Sequence, residues 1–191
     1  MRWLSLLHEI RVLKLDLARL DPRAGMPVLP PAGAPAAAID AVERRLGRPL
    51  PPSYRALLAL HDGVPQLFHG AGLLGARPLA RGTYVELARL VIDAPGGDLD
   101  GARDLVPFGI DAKGETIFAW DRARESGDGE LEVVVWINDI GARVPTFPAF
   151  LDLVRDMIEA EIEDAGRGRG AIAAPERRYA AAAPSFRFAA A

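Results

Sequence analysis

Four stretches of this 191-residue chain carry residue types whose spacing could do chemistry. Gly70-Ala-Gly72-Leu-Leu-Gly75 has the spacing of a dinucleotide fingerprint, in which glycines let backbone N–H groups approach a pyrophosphate. That chemistry needs a strand before the string and a helix opening within it. Pro65-Gln-Leu-Phe-His69 is too short and too Pro-led for such a strand, and Pro78 and Gly82 break a helix, so a plain flexible loop is predicted. Asp98-x-Asp100-Gly101…Asp104 begins like a calcium loop but lacks the third ligand's spacing and the closing bidentate Glu. A solvated acidic loop fits better. Ser53 offers a hydroxyl, yet it stands beside prolines at a helix start and outside any GxSxG elbow. His8, His61 and His69 form neither an i,i+4 ligand pair nor HExxH, and His61 is expected at a helix end. The absence of cysteine removes disulfides, thiol nucleophiles and Cys-based metal sites. The sequence therefore predicts a non-enzyme with no catalytic, cofactor-binding or metal-binding residues.

The elements that would position any site are easier to read. Trp3, Leu6, Leu7, Ile10, Leu13, Leu17 and Leu20 fall on one face of an amphipathic helix. Residues 21–38 are a Pro/Gly/Ala connector. Ile39, Val42, Glu43 and Leu46 then mark a short helix that Gly47 terminates, and Pro49, Pro51 and Pro52 turn the chain into a second. Tyr54, Leu57, Leu58 and Leu60 carry its stripe until His61-Asp62-Gly63. Residues 64–82 read as a loose stretch, 83–92 as a helix with Thr83 as N-cap, and 93–103 as a polar loop. Leu105–Ile110, Glu115–Asp121 and Leu131–Asn138 read as strands of an antiparallel meander. Thr146 caps a closing helix with Phe147, Phe150, Leu151, Val154, Met157 and Ile158 on one face.

These elements predict an α+β fold: an antiparallel β-meander packed against N-terminal helices and a closing C-terminal helix. The organisation expected is a helix at 1–20, a connector at 21–38, an α+β domain at 39–164 on which the first helix packs, and a basic, weakly structured tail at 165–191.

Composition bounds the partner. Half of the residues are hydrophobic and the net charge is −3, too small to mark the whole chain as a nucleic-acid or membrane binder. Neither a signal peptide nor about eighteen consecutive apolar residues is present, so a soluble, cytoplasmic protein is expected. The tail holds five arginines against Glu176, a balance of +4 that leaves −7 on residues 1–164. Much of that acidity lies between 121 and 132 and on the closing helix, at Asp152, Asp156, Glu159 and Glu163. It reads either as a solubilising face or as a surface that attracts a basic protein. The tail could fold back on this helix or touch a separate acidic partner. Trp120 and Trp136 read either as interface anchors or as core, since Phe118 alternates with Trp120 and Val134 with Trp136.

Leu50-Pro51-x-x-Tyr54 after an Ile…Glu helix, then Leu57-Leu58…Asp62-Gly63, resembles the signature of the SUKH superfamily. Pro107-Phe108-Gly109-x-Asp111-x-x-Gly114…Asp121 and Thr146-Phe147-x-x-Phe150-Leu151 agree with it in order, over roughly residues 3–160. The chain departs from the pattern at Pro52-Ser53, where an acid is usual, and at Asp62, where Asn is usual. At the motif positions Leu50, Pro51, Tyr54, Gly63, Gly109, Asp111, Gly114 and Asp121 the side chains suit structural roles: a ring with a backbone-bonding hydroxyl, glycine turns, and Asp turns. The resemblance implies a binding protein, most simply an immunity protein that neutralises a cognate secreted toxin; the charge and strand patterns nominate Trp120, Asp121, Trp136, Asp152, Asp156, Glu159 and Glu163 as its contacts. The alternative it implies is a regulatory interaction scaffold of the cell-wall-synthesis regulator type. Direct contact with nucleic acid or membrane is not expected of either.

Overall fold

The computed structural model describes residues 2–92, 104–137, 140–167 and 186–187. The expected loop at 93–103, with Asp98 and Asp100, and most of the tail lie outside these residues. Helix α1 (Arg2–Leu20) buries Trp3, Leu6, Ile10 and Leu17, and its neighbour along the chain's length is the closing helix α6 (Phe147–Gly166). Leu20, expected on the apolar stripe, is half exposed, while Lys14 takes a buried place between Ile10 and Leu17.

Helix α2 (Ala36–Leu46) starts three residues before the apolar stripe does. The Pro35 carbonyl accepts from the Ala38 and Ile39 N–H groups, and the intervening alanines are strong helix formers. Gly47 ends α2 in the left-handed conformation, and Pro52 opens α3 (Pro52–Leu60), which stops at His61.

All the strands pair antiparallel in chain order: β1 (Val64–Phe68), β2 (Ala71–Leu73), β3 (Leu105–Ile110), β4 (Thr116–Glu125), β5 (Leu131–Ile137), β6 (Ile140–Val144) and the two-residue β7 (Phe186–Arg187). The sequence anticipates the three central strands. It does not anticipate β1, β2 and β6, nor helix α4 (Ala76–Arg81), which is too short and too Pro-bearing to show a period. The pairing of Phe186–Arg187 with Ile140 and Gly141 is likewise not foreshadowed by the tail's composition. Helix α5 (Thr83–Ile92) packs on β3. Its first turn begins at Gly82, whose carbonyl accepts from the Glu86 N–H, so Thr83 is the first helical residue rather than the cap.

Tyr54 sits where helix and sheet meet. Its ring is fully buried and meets Phe108, Trp120 and Phe147 edge-on, at centroid distances of 5.2, 4.8 and 5.3 Å. Its hydroxyl donates to the Leu74 carbonyl at 2.7 Å and reaches the Phe108 carbonyl at 3.3 Å. Burial, then the charge of Asp62, holds this phenol protonated well above its usual range. The Phe108 carbonyl also accepts from the Leu74 N–H, whereas no other donor to the Leu74 carbonyl occurs among the described residues. Tyr54→Phe should therefore cost about 1–2 kcal/mol, a fall in melting midpoint of roughly 2–8 °C. An unchanged midpoint would show that the hydroxyl contributes nothing net.

Candidate interaction surface

The motif residues converge on the junction of α3 with the first half of the sheet. Leu50 is buried, and its N–H donates to Glu43 at 3.1 Å; Pro51 precedes α3 as its cap residue. Gly63 has φ of +89°, and a Cβ there would lie 2.6 Å from the Leu73 carbonyl oxygen, so any larger residue collides with backbone. At Gly109 a Cβ would lie 2.5 Å from the Phe118 ring. Asp111 accepts from the Thr116 N–H at 3.1 Å and closes the β3–β4 turn that contains Gly114. Asp62, the departure from the family pattern, accepts from the Ala76 N–H at 2.5 Å and so caps α4.

The glycine string 70–75 is not a loose loop. It comprises the β1–β2 turn, β2 itself and the residue before α4. A Cβ on Gly72 would meet the Val64 carbonyl oxygen at 2.9 Å and one on Gly75 would meet Asp62, so these glycines serve close backbone packing. Ser53 donates through both its N–H and hydroxyl to Glu130, at 2.7 and 2.5 Å. Glu130 is buried and caps α3 from the β4–β5 turn, a long-range role that sequence reading missed.

Register separates the two tryptophans. Trp120 stands opposite Val133 on the face that meets α3 and α6, and it is 1% exposed. Trp136 stands opposite Ile117 and Gly141 on the other face and is 9% exposed. Both are core in this conformation; the anchor alternative for Trp120 fails because its ring is stacked on Phe108 at 4.4 Å. Asp121, on the Trp136 side, is also buried. Its carboxylate accepts from Arg143 at 2.7 Å, and the same Arg143 nitrogen donates to Glu132 at 2.5 Å. Desolvation pulls the Arg143 pKa down, but these two hydrogen bonds outweigh it and the net shift is upward.

The four acids expected on the closing helix share one side of α6, because their spacing of four, three and four follows the helical repeat. Their surroundings differ. Asp152 is engaged within the fold, accepting from Arg2 at 2.6 Å and facing Arg155 at 3.2 Å, which ties α1 to α6. Asp156 pairs with Arg155 at 2.7 Å but keeps half its surface. Glu159 is exposed, and Glu163 is half exposed with Arg167 at 4.0 Å. The Arg155 pKa is raised, first by its hydrogen bond to Asp156.

On the opposite side of α6, Glu161 is buried and lies 2.5 Å from His69 Nε2. Lys14 faces the same region and donates its ammonium to the Gln66 carbonyl. Desolvation lowers its pKa from 10.5 to about 8, against the opposing pull of Glu161. This cluster was missed from sequence because its members are far apart in the chain; the one legible signal was a lysine at the buried position between Ile10 and Leu17.

A family model for the SMI1 / KNR4 family (SUKH-1) matches residues 33–156, about two thirds of the chain. The chain belongs to that family. Among curated proteins, none matches it. Family membership carries a protein-interaction role in general terms. The matched span of this SMI1/KNR4-family chain runs from just before α2 into the middle of α6. Helix α1, Glu159, Glu163 and the tail lie outside it. Among the described residues, no helix is long and apolar enough to cross a membrane.

The Lys14 shift has a sign that can be tested. Between about pH 8 and pH 10 the folded protein has released the Lys14 proton while the unfolded chain keeps it, so stability rises with pH there. The slope approaches about 1.4 kcal/mol per pH unit at most. Urea unfolding at successive pH values should show this rise in the wild-type protein and a flatter profile in Lys14→Met. Identical profiles would contradict the assigned shift.

Proposed function

We propose that this chain is a non-catalytic binding protein, an immunity protein that neutralises a cognate secreted toxin by direct contact in the cytoplasm. One observation carries the reading beyond family membership: Asp156, Glu159 and Glu163 form an accessible acidic stripe on a helix fixed to the sheet. A nuclease or other toxin with a basic, phosphate-binding site would be drawn to such a stripe and blocked sterically once docked. The attraction acts within about 8–10 Å at physiological salt, so the contact must be close. The stripe needs no rearrangement to be presented, which lowers the ordering cost of binding.

Coexpression with the adjacent toxin gene tests this. The protein should restore growth, and Asp156→Lys with Glu159→Lys should weaken the complex by about tenfold or more, most strongly at low salt. Killing that is equal with and without the protein, for every adjacent candidate, would refute the reading. The second reading, a regulatory interaction scaffold, is favoured by the position of α1 and the tail outside the family span. Pull-down with and without residues 165–191 separates the two: a tail-dependent complex with resident proteins and no toxin supports the scaffold.

A further inference from the structure

A trough of about 350 Å³ runs between α1, the segment 27–30 and the edge strand β1. Its apolar lining includes Leu4, Leu7, Ile10, Val28, Leu29 and Leu67. Leu4, Val28 and Leu29 remain 42%, 46% and 64% exposed, a contiguous apolar surface of the kind that marks a contact site. The ionisable residues that line it are His8, Arg11, Lys14 and His61, with no carboxylate among them. In a chain whose net charge is −3, that is a local reversal of sign. Lys14 is engaged with Gln66, and His61 Nδ1 lies 3.4 Å from the Pro31 carbonyl. His8 and Arg11 make no ion pair or hydrogen bond among the described residues.

We propose that this trough binds an acidic, amphipathic segment of a partner protein, with apolar side chains on the leucine and valine lining and carboxylates toward His8, Arg11 and His61. These nitrogen groups decide the chemistry of the occupant. His8, Arg11 and Lys14 recur every three residues along α1, so hydrogen-bonding nitrogens, two of them on cationic side chains, line the trough at steps of about 4.5 Å. A single-headed amphiphile such as a fatty acid would meet only one of these groups. A peptide with several carboxylates meets them in succession. From Leu4 to Lys14 the helix advances about 15 Å, the reach of four or five extended residues. One wall, α1, lies outside the family span and the other, β1, lies within it, so the trough combines a family element with an addition of this chain. It is separate from the acidic stripe on α6 and does not depend on the toxin reading.

The test is fluorescence anisotropy with the full chain and a labelled peptide of about eight residues alternating leucine with glutamate. Saturable binding is expected, weaker by about tenfold or more for the same peptide with lysine in place of glutamate. Arg11→Glu and Leu29→Glu should each weaken binding about tenfold while leaving the melting midpoint unchanged, since both residues are exposed. Glu159→Lys should bind as the wild type does, which separates failure here from failure of the stripe. Absence of saturable binding at about millimolar peptide, equal binding of the lysine peptide, or wild-type binding by both trough variants would overturn the proposal. So would binding of dodecanoate without binding of the peptide, which would make the trough an acyl site.

Discussion

The bond from the Tyr54 hydroxyl to the Leu74 carbonyl is the constraint on which the other arrangements rest. It fixes α3 against the segment that leaves β2, and it does so inside a ring cluster contributed by β3, β4 and α6. An aromatic contact of this kind adds about 0.5–1.5 kcal/mol beyond its buried area, but geometry matters more here than the sum. Three edge-on contacts and one hydroxyl bond leave Tyr54 a single orientation. Phe147 and Phe150 are thereby set on the sheet, and the direction of α6 follows. Gly63 and Gly109 allow the backbone to approach closely enough for this to close.

With α6 held, the placement of charge becomes a consequence of helical geometry. One side of α6 turns Phe150, Val154, Met157 and Ile158 inward; another presents Asp156, Glu159 and Glu163. Asp152, at the start of that stripe, binds Arg2 and brings α1 alongside. Several inward-facing carboxylates have polar partners: Asp121 and Glu132 accept from Arg143, Glu130 from Ser53, and Glu161 lies beside His69 Nε2. Such pairs contribute little net stability once desolvation is counted, but removing one partner leaves the other buried and exposed to the full penalty. The surface consequently carries two unlike regions, an acidic stripe on α6 and a basic-rimmed apolar trough beside α1.

How far the sequence was legible depended on how local each signal is. Helices α2, α3, α5 and α6 and strands β3, β4 and β5 carry their own period, caps and branched residues, and appear within a few residues of their predicted bounds. Strands β1 and β2 do not: Pro65 and the positive φ of Gln66 and His69 give an irregular edge with no alternation to read. β6 is five residues long and contains Gly141. Among the candidate contacts, strand alternation correctly grouped each tryptophan with its neighbour, but only the register opposite Val133 and Gly141 shows that the two occupy different faces. Lys14, Glu130 and Glu161 escaped notice because what makes them unusual is burial against residues far along the chain, which composition cannot express.

Helix α3, the middle strands and α6 form one rigid platform that presents its surfaces ready-made. Residue-resolved hydrogen exchange of the native protein tests it most directly. Amides of α3, β3 to β5 and the inward half of α6 should share one level of protection, set by global unfolding. Exchange of the α6 amides through a separate, easier opening would contradict the account, because the helix that carries the acidic stripe would then not be fixed by the aromatic junction.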